Sequence, residues 1–175
     1  MKRSKKILII VATIALFVAL GFVFYINIMN APRLTVMTPS GAVKPGEEFN
    51  VYVVLENNPG IVIFCLWLAY DDTRFDFVSA SAGHVLEGQS LDTKDVIFEG
   101  SKCVRVTNGL RTDAFKTDGI MYAVTFRVKD SADSGKSTFS LKYRKNDIGG
   151  EPIQPGNKAN NFTPATVDGK VSIWY

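Results

Sequence analysis

This chain has little of what catalysis needs. Its 175 residues include one histidine, His84, and two cysteines, Cys65 and Cys103. They match no zinc spacing, and no Cys-x-x-Cys pair occurs. Phosphate loops, dinucleotide fingerprints and metalloprotease motifs are missing as well. No cofactor or metal is therefore expected, and no catalytic residue is assigned. His84 sits in Ala82-Gly83-His84-Val85, which reads as a loop. Asp71, Asp72 and Asp76 cluster with Arg74 and evoke the paired carboxylates of glycosidases. The plainer reading is a turn, where Asp bonds to nearby backbone. The spacing is also not that of an EF-hand calcium loop.

Acidic residues are absent before Glu47. Four positive charges, Lys2, Arg3, Lys5 and Lys6, precede Ile7, so the formal charge of +3 leaves −1 on the rest. A near-neutral remainder offers no broad basic surface, so nucleic acid is excluded as a partner. The basic cluster is instead a topology signal. An uncharged run follows it from Ile7 to Ala31, and Ile7–Ile26 alone approaches the ~20 residues that cross a bilayer as a helix. Cleavage near Ala19-Leu20-Gly21 would leave Phe22-Val23-Phe24-Tyr25-Ile26 as an apolar tail in water. An uncleaved signal anchor over residues 1–31, held in the membrane through residues 7–29, is the favoured reading. The basic end then stays in the cytoplasm and residues 32–175 lie outside. The chain would be a single-pass cell-membrane protein, or secreted if the segment is cut. Two cysteines outside the cytoplasm are compatible with one disulfide.

Helical periodicity is missing after residue 31. Residues 32–175 read as one all-β domain of nine strands, at about 33–38, 48–57, 61–70, 75–81, 91–98, 102–107, 119–129, 137–145 and 166–174. Phe49, Val51, Val53 and Leu55 share one face of the second strand. Tyr122, Val124, Phe126 and Val128 do so in the seventh, and Phe139, Leu141 and Tyr143 in the eighth. One dry and one wetter face per strand is what two sheets packed face to face require, so a sandwich or jelly roll is expected. Asn157–Thr166 reads as a polar loop. In the third strand Phe64, Leu66, Leu68 and Tyr70 should face the core, yet Ile63, Cys65, Trp67 and Ala69 opposite are also apolar. Either this strand is covered on both sides, or it exposes an apolar patch for a partner. The second reading makes Trp67 its largest anchor, whose removal would weaken binding and barely affect folding.

One stretch is more specific. Pro45-Gly46-Glu47-Glu48-Phe49 leads to Asn57-Asn58-Pro59-Gly60-Ile61, then to an alternating strand closing on Tyr70-Asp71, then to Phe75-Asp76-Phe77-Val78. This resembles the first half of cohesin domains. Gly119–Asp130 and Val167–Ile173 are similar to later strands of that family. Two departures are Asp72 and Phe75, where the family commonly has Pro and Leu. A third is the apolar pair Cys65 and Trp67, at outward positions that are usually polar.

The resemblance implies a nine-stranded jelly-roll sandwich that binds dockerin modules, calcium-loaded helical tags on cellulosomal and related surface enzymes. It implies a binding sheet made of the third, fifth, sixth and eighth strands. The candidates carried over are Ile63, Cys65, Trp67 and Ala69, with Arg105 and Thr107 from the sixth strand and Ser140 and Lys142 from the eighth. It also makes the third and sixth strands antiparallel neighbours, from which a Cys65–Cys103 disulfide is expected. The competing readings are a carbohydrate-binding module of related architecture, which would take a polysaccharide, and a structural surface domain with no ligand. Trp67 and Trp174, with Tyr52 and Tyr175, fall short of a planar aromatic strip.

Overall fold

A computed structural model describes residues 13–23, 25, 30–109, 114–154 and 158–174. The basic cluster at Lys2 to Lys6, the start of the apolar run at Ile7, and Asn157 and Tyr175 lie outside them. The chain divides into two units, Met1–Ala31 and Pro32–Tyr175. In the first, residues 13–23 are helical. Among the described residues its large apolar side chains, including Phe17, Leu20 and Phe22, are 55–69% exposed. No helix among the described residues is long and apolar enough to cross a membrane.

The second unit is a two-layer β-sandwich. Its strands are β1 (Arg33–Met37), β2 (Glu48–Glu56), β3 (Ile61–Ala69), β4 (Phe75–Ala82), β5 (Asp92–Phe98) and β6 (Ser101–Thr107). There follow β7 (Gly119–Val128), β8 (Gly135–Lys142), β9 (Ile148–Gln154), β10 (Lys158–Asn161), β11 (Ala165–Val167) and β12 (Gly169–Ile173). One sheet has the order β11-β1-β2-β7-β4. The other runs β10-β9-β3-β6-β5, with β8 joining β3 to β12. The third, fifth, sixth and eighth strands therefore share a sheet, as the resemblance implied.

Alternation places the core as expected. Phe49, Val51, Val53 and Leu55 are buried from β2, and Tyr122, Val124, Phe126 and Val128 from β7. Phe64, Leu66 and Leu68 of β3, with Tyr70 just after it, join the same interior. At its centre Phe126 lies 5.0 Å from Phe139 and 4.9 Å from Tyr70, ring centre to ring centre. Such tilted pairs satisfy the ring quadrupoles while burying large areas.

Short motifs pin the corners. Asn57 adopts φ 53° and Gly60 φ 86°. The Asn58 side chain accepts from the N–H groups of Gly60 and Ile61, each at 3.0 Å, and donates to the carbonyls of Phe115 and Thr117. The Asp118 carboxylate accepts from the Asn57 and Asn58 N–H groups at 3.0 and 2.8 Å. The Asn-Asn-Pro-Gly-Ile corner is thus a clamp between the start of β3 and the approach to β7. Asp71 accepts from the Thr73 N–H and hydroxyl at 3.0 and 2.6 Å, and Arg74 lies 3.5 Å from it. Asp71 thus builds a turn, as read from the sequence, while Asp76 lies in β4, 3.3 Å from Lys129, and no metal-binding cluster occurs among the described residues. His84 stands in a single 3-10 turn, His84–Leu86. Its Nε2 is 3.1 Å from the Asp118 carbonyl, and its ring occupies the space a Cβ on Gly119 would need.

Two expectations are corrected. The loop after β8 contains the strands β9 and β10, the latter within the expected polar loop. The ninth expected strand is two, β11 and β12, because the chain changes sheets at Asp168: β11 pairs with β1 and β12 with β8. The third strand changes partner along its length, pairing with β9 at Ile61–Phe64 and with β8 at Trp67–Ala69.

Candidate functional site

The outward face of β5, β6, β3 and β8 is fixed by strand register. Asp92, Thr107 and Cys65 form one row across the sheet. Lys94, Arg105, Trp67 and Lys142 form the next. Val96, Cys103, Ala69 and Ser140 form the third, and Phe98 with Ser101 the fourth. Seven of the expected candidates, Cys65, Trp67, Ala69, Arg105, Thr107, Ser140 and Lys142, therefore share one surface. Ile63 points the same way but lies beyond those rows, opposite Gly149 of β9.

The exposed-patch reading of Trp67 is overturned. Trp67 is only 8% exposed. It stacks on Phe98 with ring centres 4.2 Å apart and planes 9° from parallel. Trp67, Ala69, Phe98 and Cys103 make a second, smaller core on the outer side of the sheet. The Arg144 guanidinium lies over both rings, 4.9 Å from the Phe98 centroid and 5.6 Å from that of Trp67. A cation over an aromatic face is attracted by the ring quadrupole. Covering on both sides, the other reading of this strand, is what the fold adopts, and the cover is Phe98 and Arg144.

The disulfide is overturned as well. Cys65 faces Thr107, while Cys103 faces Ala69. That separates the two thiols by four residues along the strands, about 13 Å at the usual rise per residue. A disulfide needs Cα atoms within about 7 Å. Both cysteines are free. Burial pushes both thiols above their ordinary pKa. At Cys65, Asp147 adds to the rise and Arg105 and Arg144 oppose it. Neither thiol is primed as a nucleophile.

Polar side chains hold the face in place. Arg105 donates to Asp92 at 2.6 Å, and its Nε is buried with no partner. Lys142 donates to the Ser101 hydroxyl at 2.8 Å. Thr107 donates to the Phe64 carbonyl at 2.7 Å. Sequence reading missed Asp92, Lys94, Val96 and Phe98 from β5, together with Ser101 and Arg144. The alternation of Val96 and Phe98 was the available signal, but only the register with β6 says which way they point.

The fold is a jelly-roll sandwich whose outer face on β5, β6, β3 and β8 is held in place by its own packing and hydrogen bonds. The chain belongs to the cohesin family: the Cohesin domain profile matches residues 32–173. Members of this family are non-catalytic modules of protein–protein interaction that bind dockerin-containing proteins. The chain is 26% identical over 179 residues to a cellulosome-anchoring protein of Acetivibrio thermocellus, a match covering 99% of this chain and 38% of that protein. It is 27% identical over 151 residues to cellulose-binding protein A of Clostridium cellulovorans, covering 85% of this chain and 8% of that protein. This chain thus spans a minor part of either relative. Among solved structures it resembles a type I cohesin–dockerin complex of Clostridium thermocellum, with a TM-score of 0.64 and 25% identity over 82% of this chain and 99% of that one. A non-cellulosomal cohesin of the archaeon Archaeoglobus fulgidus shares the fold, with a TM-score of 0.61 and 18% identity over 83% of this chain and 92% of that one.

Proposed function

We propose that this chain is a surface receptor for dockerin-bearing proteins, polysaccharide-degrading enzymes above all, and that it docks them on the β5-β6-β3-β8 face. The observation that carries the reading is the family match across the whole sandwich, joined to a continuous outward face on the strands the family uses. The dockerin brings its own calcium; nothing in this module is needed to hold the ion. The carbohydrate-binding alternative is weakened by Trp67, which lies beneath Phe98 and Arg144 and offers no ring to a sugar. Trp174, 65% exposed, stands without a second exposed tryptophan among the described residues.

The N-terminal segment anchors the module in the membrane, with the sandwich outside the cell. The support is its basic start, its uncharged run and a helix whose apolar side chains need a non-aqueous surrounding. Cell fractionation should place the full-length chain in the membrane pellet, resistant to high salt. A shortened soluble form beginning near Phe22 would overturn the anchor.

Residues 32–175 are a compact unit with a core of their own, so docking is testable on them alone. Calcium-loaded dockerin modules from the enzymes of the same organism should bind with a Kd of about 1 μM or tighter, which corresponds to roughly 8 kcal/mol. Chelating calcium should abolish binding. Retention on cellulose with no dockerin bound would replace this reading with the carbohydrate one.

A further inference from the structure

We infer that the partner meets this face with carboxylates: the recognised dockerin surface is acidic. This rests on the dockerin reading above and adds the chemistry of the partner.

The second row of the face places Lys94, Arg105, Trp67 and Lys142 in register across four strands. Lys94 and Arg105 are direct cross-strand partners. Like charges opposite one another destabilise a sheet, so such a row costs the free protein stability. The cost is only partly relieved. Asp92 pairs with Arg105 at 2.6 Å from the neighbouring row. Lys94 and Lys142 have no carboxylate within ion-pair distance among the described residues, and Lys142 meets only the Ser101 hydroxyl. Arg144 adds a fourth cation beside the row and is held flat on Phe98 and Trp67. Its stacking fixes the guanidinium in place, which lowers the entropy lost when a carboxylate binds it. The one further carboxylate beside it among the described residues is Asp147, which accepts from the Arg144 backbone N–H. The four cations Lys94, Arg105, Lys142 and Arg144 thus face two carboxylates, Asp92 and Asp147.

The opposite sheet is built differently. There Arg127 of β7 lies between Glu48 of β2 and Asp76 of β4 in one row, and Arg33 faces Glu56. On that face opposite charges stand across the strands from one another, and Asp76 pairs with Lys129 at 3.3 Å. The excess of cations is therefore specific to the docking face, in a chain whose residues after Lys6 carry a net −1. Excess charge of one sign on one face selects a partner of the other sign and raises the association rate.

The test uses a library built on one calcium-loaded dockerin, with the outward positions of its helices varied among Asp, Glu, Lys, Arg, Ser and Leu. It is sorted against residues 32–175. Asp and Glu should be enriched, and binding of the selected modules should weaken as salt rises. The Lys94→Glu and Lys142→Glu variants should each weaken those modules by roughly 10-fold. Lys94→Gln and Lys142→Gln, which add no negative charge, should give smaller losses in the same direction. Selection of neutral or basic modules, or losses under twofold in both series, would overturn the proposal. Failure of every library member to bind would instead remove the dockerin reading, and this inference with it.

Discussion

The two outward faces of the sandwich treat charge and apolar surface in opposite ways. On the β2-β7-β4 side, Glu48, Arg127 and Asp76 alternate in sign, and the half-buried Tyr52 lies between Met37 and Ala123 across the strands, its hydroxyl accepting from Asn50 at 3.4 Å. On the β5-β6-β3-β8 side, cations stand beside cations, and a tryptophan and a phenylalanine are stacked under an arginine. The first arrangement is complete in itself. The second leaves charge unpaired while fixing its side chains by packing. Preorganised groups with unspent interactions are what a docking surface requires.

The largest expected effect separates the faces by packing. Trp67→Ala removes the centre of the outer cluster and should cost about 3 kcal/mol, the lower end for a buried aromatic. Tyr52→Ala on the other face should cost about 1 kcal/mol or less. Chemical denaturation of residues 32–175 measures both, and equal losses would erase the contrast.

The interior between the faces provides a control. Tyr122 is fully buried, and its hydroxyl has no hydrogen-bond partner among the described residues. Tyr122→Phe should therefore stabilise the fold by about 1 kcal/mol, by removing an unsatisfied polar group. Burial raises the pKa of Tyr122, Tyr70, Cys65 and Cys103, with a hydrogen bond to Asp95 adding to the rise at Tyr70. Each native pKa lies above its unfolded value, so the native state holds these protons longer. The resulting stability is complete below about pH 8.5, the unfolded cysteine value, and is lost as the pH rises through the cysteine and then the tyrosine range. Thermal midpoints should be flat through neutral pH and fall above it, and less steeply in Tyr122→Phe. A midpoint that rises on the alkaline side would contradict the assignment.

The smallest effects are the most pointed, because their signs differ. Lys94→Glu gives Arg105 an opposite charge across the strands and should stabilise the free protein by a few tenths of a kcal/mol, about 0.2–0.5. Arg127→Glu places three carboxylates in one row and should destabilise it by roughly 0.5–1 kcal/mol. Denaturation midpoints at low salt resolve the two. Shifts of the same sign would mean that the faces do not differ in how they balance charge.

The sandwich was legible because its core strands alternate cleanly, as Phe49 to Leu55 and Tyr122 to Val128 do. The corner at Asn57–Ile61 was legible because few sequences make that clamp. The strand β9 was hidden by Gly149 and Gly150, because adjacent glycines are a turn signal. Gly149 is instead a close-approach position: a Cβ there would lie 2.6 Å from that of Ala159. The face residues of β3, β6 and β8 followed from alternation once the family was seen. The burial of Trp67 did not, because its cover comes from Phe98 and Arg144, far away in sequence. The disulfide failed for a related reason. Neighbouring strands were foreseen, but the register that sets Cys65 against Thr107 is a property of the whole sheet.

The central claim is that docking occurs on the β5-β6-β3-β8 face. Amide chemical-shift mapping of residues 32–175, titrated with a calcium-loaded dockerin module that binds them, tests it most directly. The largest shifts should fall in Asp92–Phe98, Ser101–Thr107 and Ser140–Arg144, with the Trp67 indole among them. Shifts gathered instead on Thr35, Tyr52, Val54 and Thr125 would place the partner on the opposite sheet and contradict the account.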